Sequence, residues 1–133
     1  MKNVDANFFE NNTLVLHKKE YLHSSNEKAI HVGYNVNNSF FSQLGASIVS
    51  IIENNKDLNF VFHIFTDGYS TANGKKVEEL ARKWKCSCIL YEMNMDLLRD
   101  FHIKVKRFSK ITYARICMPK ILSTGGDVTA YYI

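Results

Sequence analysis

Short apolar segments alternate with amphipathic ones along residues 29–133, and this alternation limits the possible folds more than any other feature of the chain. Four of the apolar segments are rich in β-branched and aromatic residues and are predicted strands: 29–36, 58–65, 86–91 and 128–133. Their apolar character is nearly continuous, which is typical of parallel strands buried on both faces. The sequence therefore predicts an α/β domain with a parallel sheet flanked by helices.

The segments between the strands carry apolar residues at helical spacing. The first predicted helix has its apolar residues at Phe41, Leu44, Ile48, Ile51 and Ile52, and the second at Val77, Leu80, Ala81 and Trp84. Ser39 is a plausible N-cap of the first helix, whose small residues Gly45, Ala46 and Ser47 would allow close packing on a sheet. Two further helices are predicted over 95–101 and 111–122.

The composition supports one packed domain preceded by a polar leader. With 133 residues, of which 46% are hydrophobic, the chain has enough apolar side chain for a single core. Residues 1–28 are rich in Asn, Lys, Glu and Ser, and we interpret them as a loosely packed leader with room for one short strand. Residues 29–133 then form the domain proper.

Charge and cysteine content limit which classes of partner and which cellular compartment we expect. A formal charge of +4 is too small to argue for a nucleic-acid partner. Cys86, Cys88 and Cys117 match neither a disulfide framework nor a CxxC site, so we expect reduced core thiols in a cytoplasmic protein. The sequence shows no secretory signal and no apolar run near the roughly 20 residues of a membrane-spanning helix.

Four blocks of the sequence together resemble the retaining glycosyltransferases of family eight, in particular the bacterial lipopolysaccharide core glucosyl- and galactosyltransferases. The blocks are IHVGYNVNNSF at 30–40, ASI at 46–48, FVFHIF at 60–65 and ITYAR at 111–115. The resemblance implies a GT-A type, Rossmann-like domain. It also implies transfer of glucose or galactose from a UDP-hexose to a lipopolysaccharide core, with Mn²⁺ or Mg²⁺ on the donor diphosphate.

In that family a D-x-D metal motif directly follows a strand like 129–133. The present sequence stops at Ile133, so we expect an amino-terminal fragment with a truncated domain, no metal ligands of its own and no transfer activity in isolation. A hard divalent cation suits this chemistry because charge develops on the diphosphate as the glycosidic bond breaks.

The resemblance also implies a donor site. Asn37 stands where the family has an aspartate that contacts uracil, and Ser39 where it has an asparagine; the alternative is that both only turn the chain and cap the helix. Phe40 corresponds to an aromatic residue that packs on the base, or else is a core residue. Gly33 and Tyr34 lie on the strand approaching the nucleotide, where ordinary strand packing is the alternative.

Arg115 corresponds to the arginine that the family directs at the donor sugar, so the resemblance implies a catalytic role for it. The alternative is that Arg115 lies on a solvated helix face. Asp67 more commonly stabilises a turn than binds a ligand. His31, His63 and His102 share no metal-ligand spacing, and we expect the first two to be strand residues with satisfied hydrogen bonds.

The partners that the resemblance implies are a UDP-sugar and a lipopolysaccharide core acceptor. The expected location is the cytoplasm, and peripheral contact with the inner face of the cytoplasmic membrane is left open. A nonenzymatic nucleotide-binding α/β module is the alternative function. A Rossmann dehydrogenase is disfavoured because residues 35–40 contain no glycine for a GxGxxG loop.

Overall fold

The computed structural model describes residues 15–23 and 28–98, together with the backbone of residues 130–132. The strands are β1 (Val15–Tyr21), β2 (Ile30–Asn35), β3 (Phe60–Thr66), β4 (Ser87–Met93) and β5 (Ala130–Tyr132). The helices are α1 (Phe41–Glu53), α2 (Thr71–Trp84) and α3 (Met95–Leu98), and a 3₁₀ turn, Asn38–Phe40, precedes α1. The predicted helix at 111–122 and the end of the one at 95–101 lie outside the described residues.

The strands form one sheet in the order β1-β4-β3-β2-β5. β2 pairs in parallel with both β3 and β5, and β3 pairs in parallel with β4. The parallel sheet predicted from the four apolar segments is therefore confirmed. The fifth strand, β1, runs antiparallel to β4, so the sheet as a whole is mixed.

β1 belongs to the segment that we interpreted as a leader. Most of its side chains are exposed, because it is an edge strand, and it carries Lys18, Lys19 and Glu20 in its middle. Charged residues at an edge discourage pairing with another chain. Because of them, β1 lacks the apolar pattern by which the other four strands were predicted. The short strand allowed for in the leader is present, and it is hydrogen-bonded to β4 rather than loosely packed; the domain boundary at residue 28 stays a prediction.

The two long helices pack on the same face of the sheet. Phe41, Leu44 and Ile48 of α1 and Val77 and Ala81 of α2 share one buried cluster with alternate residues of the strands, among them Val32, Tyr34, Phe60, Phe62, Ile64, Cys88 and Leu90. Alternation places the even-numbered residues of β2 and β3 toward the helices, since successive side chains point to opposite faces. The helices and strands predicted from periodicity therefore meet in one core.

One helix start differs from the prediction, and the sequence left the other open. Ser39 does not cap α1: Asn37 caps the 3₁₀ turn, and α1 follows Phe40 without a side-chain cap. α2 begins at Thr71, ahead of its first apolar residue, because Ser70 caps it by accepting a hydrogen bond from the Asn73 N–H at 3.1 Å. The first turn of α2 is largely polar, so hydrophobic periodicity does not reveal it.

The two histidines inside the sheet are paired as expected. His63 lies between His31 and Tyr91, with 2.8 Å between His31 Nδ1 and His63 Nε2 and 2.8 Å between His63 Nδ1 and Tyr91 Oη. This confirms that His31 and His63 are strand residues with satisfied hydrogen bonds. Cys86 and Cys88 are buried free thiols, as predicted, and none of the described helices is long and apolar enough to cross a membrane.

Candidate nucleotide-binding site

The turn between β2 and α1 lies at the carboxyl edge of the parallel strands, the edge where open α/β sheets bind ligands. The Asn37 side chain holds this turn: its Oδ1 accepts from the Ser39 N–H at 3.1 Å and from the Ser39 hydroxyl at 2.6 Å. The Phe40 N–H then donates to the Asn37 carbonyl oxygen at 3.1 Å. Asn37 and Ser39 thus have the turn-forming role that the sequence left open for both. Whatever contact they make with a nucleotide stays a prediction.

A hollow of about 390 Å³ opens beside this turn, between the end of β2 and the first turns of α1. Its described lining is made by side chains from both elements: Tyr34, Asn35, Val36, Phe40, Gln43, Leu44 and Ser47. Phe40 is half exposed, at 50%, although it is a large apolar ring. The hollow is large enough for a nucleoside, since ligand pockets begin near 300 Å³.

Tyr34 joins the strand to the helix beneath the hollow. Its ring is buried against Phe62, and its hydroxyl is 2.8 Å from the Ser47 hydroxyl of α1. Burial raises the pKa of the Tyr34 hydroxyl, which therefore remains a neutral hydrogen-bonding group at physiological pH. Tyr34 combines the packing role expected for a strand residue with a place in the lining.

Gly33 lies one residue deeper in β2, paired with His63 of β3 and with Tyr132 of β5. It is buried, and it is not among the described residues that line the hollow. Of the five nucleotide-binding residues implied by the resemblance, Tyr34 and Phe40 thus line the hollow, Asn37 and Ser39 form the adjoining turn, and Gly33 supports the strand below.

Asn35, Gln43 and Ser47 were not singled out from the sequence, yet they provide the polar part of this lining. The Oδ1 atom of Asn35 is buried and has no hydrogen-bond partner among the residues that the structure describes. A buried acceptor without a partner is costly, so an N–H or O–H group of a ligand or a water would stabilise it. The signal in the sequence was a single amide at the carboxyl end of an otherwise apolar strand.

The described part of the hollow is uncharged. Asp67, at the end of β3, is exposed, and the turn there is held by Thr66, whose hydroxyl lies 2.9 Å from the Gly68 carbonyl oxygen and 3.2 Å from the Gly68 nitrogen. No group of three or more His, Cys, Asp or Glu residues that could hold a metal ion occurs among the described residues. This hollow therefore suits the neutral base of a nucleotide better than its diphosphate. Arg115 lies outside the described residues.

Comparison with known proteins also indicates a glycosyltransferase. Residues 31–126 match the model of the family described as glycosyl transferase family 8. The chain is 23% identical over 111 residues to a lipopolysaccharide 1,3-galactosyltransferase of Salmonella typhimurium, a match covering 84% of this chain and 33% of that protein. It is 32% identical over 72 residues to a lipopolysaccharide 1,2-glucosyltransferase of Escherichia coli K12, covering 54% and 21%.

The chain thus spans about a third of the length of the first relative and about a fifth of the second. No solved structure matches this chain. The family match includes all of β2 except its first residue, together with α1, β3, α2 and β4, and with them the hollow and the turn beside it. By its sequence, and with an α/β fold that agrees, this chain belongs to glycosyl transferase family 8.

Proposed function

We propose that this chain binds the uridine part of a UDP-hexose and that the protein transfers glucose or galactose from it to a lipopolysaccharide core oligosaccharide. The observation that carries the proposal is the hollow at the carboxyl end of β2, which combines a half-exposed Phe40 ring with hydroxyl and amide groups. The names of the two relatives, a galactosyltransferase and a glucosyltransferase acting on lipopolysaccharide, support the choice of hexose and acceptor.

The chemistry of the lining suits a pyrimidine base. The face of Phe40 offers a stacking surface, and base–aromatic stacking contributes about 1–3 kcal/mol per base. The edge of uracil presents an N–H between two carbonyl groups, which amide and hydroxyl groups can match. Asn35 Oδ1, with no partner among the described residues, is an acceptor available for that N–H.

The diphosphate requires a different set of groups. Family membership implies Mn²⁺ or Mg²⁺, but no cluster among the described residues fits such an ion. We propose that Arg115 faces the donor sugar, where its planar guanidinium would stabilise developing negative charge. The described residues accordingly bind and orient the base, while the charge is neutralised elsewhere.

The acceptor implies a place of action. A lipopolysaccharide core is anchored in a membrane, so we propose that the protein works in the cytoplasm in peripheral contact with the inner face of the cytoplasmic membrane. The formal charge of +4 favours such a contact with anionic lipid.

Replacing Phe40 by Ala tests the base site. We expect UDP to bind the wild-type chain and the Phe40→Ala variant to bind it about tenfold more weakly, because stacking on the ring is lost. Leu58→Ala is the matched control, since Leu58 is exposed to 48% but precedes β3 at the opposite edge of the sheet. Isothermal titration calorimetry with UDP measures both, and equal affinities in the two variants would contradict the proposal.

A transfer assay then separates an enzyme from a binding module. The protein, in the longest form that its reading frame encodes, is incubated with radiolabelled UDP-glucose or UDP-galactose and lipopolysaccharide core acceptor in the presence of Mn²⁺. Label in the acceptor supports transfer. UDP binding without any incorporation of label would favour the nonenzymatic nucleotide-binding module instead.

A further inference from the structure

The turn that carries Phe40 is joined to the start of α2 by Asn38. Asn38 Oδ1 accepts from the Ser70 N–H at 2.8 Å and from Asn73 Nδ2 at 2.8 Å. The same Nδ2 also lies 3.0 Å from the Asn38 carbonyl oxygen. Side chain and backbone of Asn38 are therefore both bonded to the first turn of a helix more than 30 residues away in sequence.

The two donors to Asn38, the Ser70 N–H and Asn73 Nδ2, are held firmly at the start of α2. Ser70 caps the helix through the Asn73 N–H, and its carbonyl oxygen accepts from the Gly74 N–H at 3.0 Å. Asn73 is thus bonded at its backbone to Ser70 and at its side chain to Asn38. An apolar contact lies beside the polar one, because the rings of Phe41 and Tyr69 pack at a centroid distance of 6.1 Å.

The hydrogen bonds that join Asn38 to Ser70 and Asn73, called the joint here, contribute little to global stability. Its hydrogen bonds are exposed to water, and exposed hydrogen bonds contribute little to folding. Asn38 is itself exposed and is not among the described residues lining the hollow, so it has no direct part in holding a ligand. What it does is fix the 3₁₀ turn, Asn38–Phe40, relative to the core.

We propose that Asn38 is a positioning residue for the base site: with Asn73 it holds the turn so that the Phe40 ring stays at the mouth of the hollow. This inference rests on the proposed function, because it assigns Asn38 a role in binding the same nucleotide. A turn ordered before the ligand arrives loses less entropy on binding, which strengthens affinity without any new contact.

Affinity for UDP is the first test. Asn38→Ala and Asn73→Ala each weaken binding about threefold to tenfold, as expected when a preorganised turn is released. Asn55→Ala is the matched control, since its side chain makes an exposed bond to the Ile51 carbonyl oxygen at the far end of α1, and it keeps wild-type affinity.

A double mutant shows whether Asn38 acts through Phe40. In a Phe40→Ala background the further change Asn38→Ala has no additional effect on UDP affinity, because the ring that it positions is gone. Equal effects of Asn38→Ala with and without Phe40 would overturn the positioning role, and so would wild-type affinity in the single variant.

Hydrogen exchange tests the joint without any ligand. The Phe40 amide, bonded within the turn, exchanges faster in Asn38→Ala than in Asn55→Ala, and Asn38→Asp restores the wild-type rate because it keeps the Oδ1 acceptor. An unchanged exchange rate of the Phe40 amide in Asn38→Ala would by itself overturn the claim that Asn38 holds the turn. Absence of UDP binding to the wild-type chain instead overturns the proposed function, and with it the role of Asn38 in binding.

Discussion

At the residue scale, His63 shows how burial sets the charge of a side chain. Its ring is 5% exposed and lies between His31 and Tyr91, in contact with both. Burial, followed by the effect of a charge on His31, lowers the pKa of His63 to about 3. Burial also lowers the pKa of His31 and raises that of Tyr91, so this chain of three side chains is neutral at physiological pH.

The pKa of His63 predicts a loss of stability in mild acid. Below pH 6.5 the unfolded chain takes up a proton at His63 that the folded chain does not bind, so this contribution is complete above pH 6.5 and is lost as the pH falls toward 3. Between pH 7 and pH 5 the loss is on the order of 2 kcal/mol, from about 1.4 kcal/mol per pH unit. Urea unfolding across this range measures it.

His63→Asn should reduce the pH dependence even though it lowers stability at pH 7, because the buried imidazole at position 63 is no longer there to be protonated. His23→Asn is the control, since His23 is exposed and its variant should keep the wild-type slope. A wild-type slope in His63→Asn would show that His63 does not cause the loss.

At the scale of the element, α1 illustrates what small residues do in a helix. The sequence suggested that Gly45, Ala46 and Ser47 allow close packing on the sheet. Of these, Ser47 contacts β2 through Tyr34, whereas Ala46 is exposed. Gly45 faces the neighbouring helix: a Cβ there would lie 3.7 Å from Leu80 Cδ1, an ordinary van der Waals distance. A small gap of about 40 Å³ lies beside it between α1 and α2.

Gly45→Ala should therefore stabilise the protein. The added methyl group has room, and alanine loses less backbone entropy than glycine on forming a helix, so we expect a gain of about 0.5–1 kcal/mol in the free energy of unfolding. The adjacent change Ala46→Gly, at an exposed position, should cost about the same amount. Urea unfolding of the pair compares them; a loss of stability in Gly45→Ala would mean that α1 and α2 approach too closely for a Cβ.

At the scale of the whole molecule, β4 lies between β3 and the antiparallel edge strand β1. Cys88 of β4 is paired in register with Tyr21 of β1, and its side chain is 0% exposed in the core shared with α1 and α2. Cys86 is 3% exposed, with its sulfur 4.0 Å from that of Cys88. The contact with Cys86, together with burial, raises the pKa of the Cys88 thiol, which suppresses its reactive thiolate.

The two thiols should report the opening of the whole domain. In a Cys117→Ser background, Cys86 and Cys88 should react with a disulfide reagent such as DTNB only as fast as the structure opens, and Gly45→Ala should slow the reaction. Ser50→Cys, at an exposed position of α1, provides a thiol that reacts at once. If Cys86 and Cys88 reacted as rapidly as the exposed thiol introduced by Ser50→Cys, the result would contradict a single cooperative core.

The sequence by itself determined which segments form the parallel strands, the two long helices and the family, because hydrophobic periodicity and short motifs are local properties of a chain. Tertiary structure decided the rest. β1 is a strand because β4 offers it backbone partners, and Asn38 is bonded to α2 across more than 30 residues. These contacts join residues far apart in sequence, so no local pattern marks them before the chain has folded.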